Sequence, residues 1–288
     1  MREKFPFAMG IININEDSFY LRSREVDPIR VSNRAFQMFR KGAKMVDLGA
    51  CSTRPGSKPI EAKEEIKLLT PPLKRIKKRF EELYGKEVSL REFISIDTYN
   101  TQTVEAVYEL IGEFTINDIT AGEGDKNMLK IVAQLSLPYI AMHNRGICAL
   151  KGEELKKQSQ YKNGVVEGVI EYFEKFERKA KDVGLKEWIL DPGFGFAKTI
   201  EQNYLLLKNL NKLTKFKRPI LVGLSRKSVI YKVLETTPEK ALNGTTALNF
   251  YSLTQGAAIL RVHDVPQAVE TIKLYEQLKN GDSEKYQK

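Results

Sequence analysis

Polar side chains recur at the ends of short apolar runs along this 288-residue chain. Asn13, Asp97, Asn117 and Asp191 each end such a run, and His143 follows another. Ser225-Arg226-Lys227 and Arg261-Val262-His263 follow or end two more. They divide by chemistry. Asp97, Asn117 and Asp191 offer carboxylate and amide edges, suited to a flat heterocycle with several N–H donors. Arg54, Lys227, Arg261 and His263 supply donors and positive charge, suited to phosphate oxygens. Glycine-containing turns at Thr53-Arg54-Pro55-Gly56 and Asp191-Pro192-Gly193-Phe194-Gly195 let backbone approach a ligand closely. A planar base with an anionic leaving group is the substrate these residues describe.

Each residue taken alone has a plainer use. Asp97 before Thr98 and Asp191 before Pro192 could serve as helix caps or turn formers. His143 has no metal-spaced partner and reads as structural. The group is more informative than its members, because independent caps need not gather Asn, Asp, Lys, Arg and His at one rim.

What must position them is a series of short strands and longer helices. Nearly continuous apolar runs, as expected of strands buried on both faces, cover 8–13, 44–49, 93–97, 114–117, 139–143, 188–191, 219–223 and 257–261. Between them, helical patterns span about 30–41, 61–83, 101–111, 126–135, 154–183, 200–211, 227–235 with 240–255, and 265–279. Gly42, Gly184 and Gly281 fall near helix ends, and Thr236-Thr237-Pro238 divides the seventh connection. Eight such units predict a parallel α/β architecture, a TIM (β/α)8 barrel, with an open doubly wound sheet as the competing topology. In a barrel, all the polar strand ends meet at one face. With no linker or composition break, the expectation is one domain over 1–288, its strands running from about Ala8 to Arg261 and a flexible tail over about 280–288.

Composition is that of a globular protein and not of a disordered chain: 42% hydrophobic and 29% charged residues, with a net charge of +10. Most of the lysines are interleaved with glutamates on helix-like stretches, as on a solvated face. No zinc finger, aromatic RNA-binding signature or concentrated basic arm points to nucleic acid. No run approaches the roughly 20 apolar residues of a membrane span. The apolar stretch 5–12 is broken by Pro6 and Gly10 and lacks a cleavage site, so no signal peptide is expected. Two cysteines, Cys51 and Cys148, cannot form a disulfide framework, and a cytoplasmic location is expected.

The motifs, in order, are Met9-Gly10-Ile11-Ile12-Asn13 with Asp17-Ser18-Phe19; Val46-Asp47-Leu48-Gly49 with Ser52-Thr53-Arg54-Pro55-Gly56; Ser95-Ile96-Asp97-Thr98; and Ile116-Asn117-Asp118. Met142-His143, Asp191-Pro192-Gly193-Phe194-Gly195-Phe196, Ser225-Arg226-Lys227-Ser228 and Arg261-Val262-His263-Asp264 complete the set. The ordered set closely resembles the dihydropteroate synthases of the pterin-binding barrel family, over nearly the whole chain. That resemblance implies a TIM barrel in which para-aminobenzoate displaces diphosphate from a hydroxymethyl-dihydropterin diphosphate. It implies pterin binding by Asp97, Asn117, Met142, Asp191 and Lys227, and diphosphate binding by Asn13, Arg54, Arg261 and His263. Aminobenzoate would meet Thr53, Pro55, Phe196, Lys227 and Ser228. Asp17, Lys227 and Arg261 would be catalytic, and Asn13 would help hold Mg²⁺ on the diphosphate. The loops 15–24 and 51–58 would close over the intermediate. Family members are often homodimers, with the seventh and eighth helices as candidate contacts.

The chain also departs from the family pattern. The first loop lacks a proline and carries Glu16, with Tyr20-Leu21-Arg22-Ser23-Arg24 in place of a glycine-rich continuation. Cys51 stands where glutamate is usual, and Ala50, Ala197 and Tyr231 where glycine is usual. Two alternatives follow: a pterin-binding methyltransferase acting on methyl-tetrahydrofolate, which needs no diphosphate clamp, and a diverged barrel that binds pterin without condensing it.

Overall fold

A computed structural model of the chain describes residues 5–14, 27–50, 60–145 and 152–281. Eight parallel strands form one sheet in the order β6-β5-β4-β3-β2-β1-β8-β7. They are β1 (Phe7–Asn13), β2 (Met45–Gly49), β3 (Ile94–Asp97), β4 (Thr115–Asp118), β5 (Tyr139–Met142), β6 (Trp188–Asp191), β7 (Leu221–Val222) and β8 (Ile259–Val262). A parallel bridge from Leu190 to Ile220, with the Leu190 amide donating to Pro219 O at 2.9 Å, joins β6 to β7 and all but closes the barrel. The competing open sheet is thereby set aside.

Alternation along the strands separates two environments. Phe7, Met9, Met45, Ile140, Ile189, Leu221 and Ile259 form an apolar plug inside the barrel. Intervening residues such as Ala8, Val46, Ile94, Ile96, Ile116 and Leu190 pack outward against the helices in the larger core. Counting in twos from the plug toward the strand C-termini gives Met45, Asp47 and Gly49; Ile140 and Met142; Ile189 and Asp191; Ile259, Arg261 and His263. The same inward period therefore passes from an apolar floor to a polar mouth.

The helices are α1 (Pro28–Arg40), α2 (Ala62–Tyr84), α3 (Thr101–Ile111), α4 (Met128–Leu135), α5 (Gly152–Gln158), α6 (Val165–Asp182), α7 (Ile200–Lys208), α8 (Ser228–Tyr231), α9 (Leu242–Thr254) and α10 (Val265–Gly281). Helix α1 starts where the Asp27 carboxylate accepts from Ile29 N at 2.9 Å and Arg30 N at 3.3 Å, with Pro28 in the first turn. Helix α7 opens with a capping box between Thr199 and Gln202.

One expected helix, 154–183, is instead two. Gly164 adopts φ +84°, and Tyr161 folds against Gly168, where a Cβ would lie 2.4 Å from the ring. The break sends the Tyr161 hydroxyl to Ala197 O at 3.0 Å, beside the glycine-rich loop after β6. Helix α10 extends to Gly281, past the expected start of the tail, and 282–288 lie outside the described residues. No helix among the described residues is long and apolar enough to cross a membrane.

Candidate active site

Register places three of the expected residues, with Gly49 between the first two, side by side. Asn13 pairs with Gly49, Gly49 with Asp97 and Asp97 with Asn117 at the C-terminal ends of β1 to β4. Met142 pairs with Asp191 across β5 and β6. From β8, Arg261 reaches across the barrel: Nε donates to Asp47 Oδ2 at 2.7 Å and a terminal nitrogen to Asp97 Oδ2 at 2.9 Å. Asn117 Nδ2 donates to the same Asp47 oxygen at 2.9 Å. Bonds between strands that are not neighbours show that these side chains point into one mouth.

Two carboxylates thus share one guanidinium, and Asp47 is wholly buried. Burial pushes Asp97 up to about 7; Arg261 opposes the rise and the Asp47 carboxylate adds to it. Burial also raises Asp191, against the opposing charge of Lys227. Asp47 Oδ1 and Asn117 Oδ1 are buried acceptors without a partner among the described residues. Buried acceptors of that kind ask for an explanation, and N–H donors on a ligand would supply one.

Asp47 belongs to a motif noted in the sequence but was given no role there. It lies two residues before its strand end, inside a run that reads as continuously buried. The alternation that points Met45 and Gly49 inward would have identified it.

The second wall is the loop after β6. Gly193 has φ +67°, and a Cβ there would lie 2.1 Å from His143 O, so only glycine allows this approach. Gly193 N donates to Asp191 Oδ1 at 2.8 Å, turning that carboxylate. Lys227 Nζ donates to Phe194 O at 2.7 Å and sits 4.9 Å from the Phe196 ring centroid. Burial brings Lys227 down to about 8, with the Asp191 carboxylate pulling it back up. Met142 and Phe196 pack with Tyr99 and Ile119 in a small apolar cluster. Ala197, where the resemblance would lead one to expect glycine, is held at φ +48°, in the left-handed region that glycine occupies without strain.

His263 stands beside Ser225. Its backbone N–H donates to Ser225 Oγ at 3.2 Å, and Nδ1 lies 3.0 Å from the same oxygen. Burial and the Arg261 charge push His263 down to about 4. It therefore offers an N–H donor at neutral pH and not the positive charge expected from the sequence. Beyond it, Arg30, Arg34 and Lys41 help line a cavity of about 470 Å³ along α1, whose wall includes His263, Val265 and Pro266. Arg226, from the same tripeptide as Lys227, binds Asp264 through two bonds of 2.7 and 2.9 Å and ties the loops after β7 and β8 together. Ser228 opens α8, and Asn13 is half-buried at the end of β1.

Two buried networks support these walls. Glu65 Oε2 accepts from Thr98 Oγ1, Asn100 Nδ2 and Thr103 Oγ1 at 2.8, 2.9 and 2.6 Å, anchoring the turn after Asp97 to α2. Glu65→Ala is expected to lower thermal stability by about 1–3 kcal/mol for each donor left unpaired, and to weaken ligand binding at Asp97 as well. An unchanged melting temperature would contradict that role. The other network centres on Lys198, a buried lysine to which the sequence reading gave no role. His143 is buried against it, its Nδ1 2.9 Å from the Lys198 ammonium nitrogen. Burial lowers Lys198 to about 7, with Asp191 opposing.

Asp17, Thr53, Arg54 and Pro55, together with both loops expected to close and both cysteines, lie outside the described residues.

Comparison with known proteins agrees with this geometry. A family profile described as pterin binding enzyme matches residues 9–263. A dihydropteroate synthase of Streptococcus pyogenes is 34% identical over 275 residues, covering 94% of each chain. Among solved structures, the dihydropteroate synthase of Clostridium difficile in the presence of pteroic acid superposes with a TM-score of 0.83 at 32% identity, covering 96% of this chain and 97% of that one. The Xanthomonas albilineans dihydropteroate synthase with 4-aminobenzoic acid superposes with a TM-score of 0.82 at 28% identity, covering 96% and 93%. With barrel, mouth and motif order in agreement, the chain belongs to the pterin binding enzyme family.

Proposed function

We propose that this chain condenses 6-hydroxymethyl-7,8-dihydropterin diphosphate with para-aminobenzoate, giving 7,8-dihydropteroate and diphosphate. It is a transferase of the dihydropteroate synthase type. The observation that carries the reading is the lattice of Asp47, Asp97, Asn117 and Arg261 facing Asp191 and Lys227 across one mouth.

In this reading Asp97, Asn117 and Asp191 accept N–H groups along the pterin edge, while Met142 and Lys227 flank the ring. The C–O bond to the diphosphate breaks, and its electron pair leaves with the diphosphate. The methylene cation left behind is delocalised into the pterin, where the buried carboxylates favour positive charge. The aminobenzoate nitrogen then forms the C–N bond and loses a proton to solvent. His263 donates to a diphosphate oxygen. Arg261 has Nε and one terminal nitrogen committed to Asp47 and Asp97, so its other terminal nitrogen meets the diphosphate. Phe196 and Ser228 shape the aminobenzoate side. Asp17, Thr53, Arg54 and Pro55 keep the roles that the resemblance implies.

Magnesium fits as an ion carried by the substrate. Asn13, at the C-terminal end of β1, is the residue that would help hold it by its amide oxygen. Mg²⁺ commonly keeps several waters and binds through few protein oxygens plus phosphates. When bound, it would neutralise charge on the departing diphosphate. A homodimer in the cytoplasm remains the expectation for the assembly and its location.

The pH dependence has a worked sign. Asp97 must be ionised to accept, so kcat/KM is expected to rise through about pH 7. Lys227 donates as the ammonium, so it is expected to fall above about pH 8. A flat profile between pH 5 and 9 would contradict both assignments.

The test of the reaction is diphosphate release from the pterin diphosphate with Mg²⁺, with and without aminobenzoate. Release matched one-to-one by dihydropteroate supports the proposal. Release without dihydropteroate indicates hydrolysis, and pterin binding without release indicates the non-catalytic barrel; either overturns it.

A further inference from the structure

The reaction above uses Lys227, from the loop after β7, but gives no task to a second lysine, Lys198, in the loop after β6. Lys198 follows directly on Phe194-Gly195-Phe196-Ala197 and precedes the Thr199 cap of α7, and its side chain turns inward to be 3% exposed. In its ammonium form, favoured below about pH 7, Nζ has three donors. Here three acceptors surround Nζ: His143 Nδ1 at 2.9 Å, Gly193 O at 2.9 Å and Phe196 O at 3.0 Å.

His143 can serve as acceptor because burial, reinforced by the Lys198 charge, holds it neutral. Its ring is fixed edge-on to Tyr172, with centroids 4.8 Å apart. The carbonyls of Gly193 and Phe196 flank Phe194, whose own carbonyl binds Lys227. The short loop is thus held by two lysines, Lys227 at the mouth and Lys198 beneath it. That loop sets two groups the condensation needs. Gly193 N orients the Asp191 carboxylate, and the turn Phe196 N→Gly193 O at 3.1 Å carries the Phe196 ring.

We propose that Lys198 is a positioning residue for the condensation: through Gly193 O, Phe196 O and His143 it fixes the loop that presents Asp191 to the pterin and Phe196 to the aminobenzoate. The assignment rests on the proposed reaction but concerns a residue that does not touch substrate. A plain structural staple would set stability alone; a positioning residue also sets the Michaelis constants of the folded enzyme.

Lys198→Met keeps most of the side-chain volume and removes all three donors. The expected result is a KM for the pterin diphosphate and for aminobenzoate each raised at least about tenfold, with kcat changed less, in protein that remains folded by circular dichroism. His143→Asn, which retains an acceptor near the Nδ1 position, is expected to stay within about threefold of the parent. His143→Leu, which strands one donor, is expected to raise both constants. Equal KM values in Lys198→Met and the parent would overturn the proposal, as would His143→Asn behaving like His143→Leu.

Should Lys198→Met fail to fold, the two His143 variants decide the question by the same comparison. Amide hydrogen exchange provides a readout independent of turnover: the Gly193, Gly195 and Phe196 amides are expected to exchange faster in Lys198→Met than in the parent, and unchanged exchange would overturn the clamp. If the parent itself forms no dihydropteroate, the reaction falls while exchange still decides the role of Lys198.

Discussion

Asp97→Asn is expected to weaken pterin binding by about 1.5–3 kcal/mol, roughly 12- to 160-fold in Kd, without loss of stability at pH 8. The first effect follows from removing a charged acceptor at the centre of the mouth, 2.9 Å from Arg261. The second follows from the sign of its ionisation. A folded-state pKa of about 7, above the ordinary 3.8, means that the folded chain holds this proton more tightly than the unfolded chain. The stability linked to that proton is fully present below about pH 3.8 and lost as pH rises through about 7. At pH 8 the ionised carboxylate is a cost the fold bears, and asparagine removes it while keeping an oxygen for Arg261. Isothermal titration with pteroic acid and a thermal melt at pH 8 check the two halves. Unchanged affinity would remove Asp97 from the site, and a large drop in melting temperature would mean that its charge supports the fold.

Arg261→Ala is expected to fail in both respects. The guanidinium is the counter-charge for Asp47, wholly buried, and for Asp97, nearly so. Deleting one member of a buried pair costs about 3–5 kcal/mol, because the remaining charge stays desolvated. The resemblance assigned Arg261 to the diphosphate and to catalysis, and not to the pterin. The bonds to Asp47 and Asp97 revise that view: without Arg261, Asp97 rises further above 7 and pterin affinity falls with it. Activity is expected to drop at least about 100-fold, on the scale of losing a donor to a developing anion. A variant that melts like the parent and still binds pteroic acid equally well would contradict the lattice. The double variant Asp97→Asn with Arg261→Ala should be less destabilised than the sum of the singles, since the two share one interaction.

Much of the fold was legible because it rests on alternation and spacing. Strands buried on both faces read as apolar runs, and the polar residues closing them, Asn13, Asp97, Asn117 and Asp191, fall at one rim once the strands are parallel. Asp47 was legible only as an inward position by alternation within Met45–Gly49, and its role emerges when a guanidinium from the far end of the chain is placed against it. Lys198 was hidden by its type: among so many surface lysines, only the loop folding over it shows that this one is buried. The division of the long helix depended on Tyr161 packing against Gly168 and reaching Ala197, a tertiary contact that periodicity does not register. His263 was placed correctly but its charge was not, because its pKa is set by burial and by Arg261.

The most direct test of the central claim, that acids converging from distant strands grip one heterocycle, is a crystal structure of this chain with pteroic acid. The prediction is ring N–H groups within about 3.2 Å of Asp97, Asn117 and Asp191, with the Lys227 ammonium alongside the ring. A pterin ring seated elsewhere, with those three side chains out of its reach, would contradict the account.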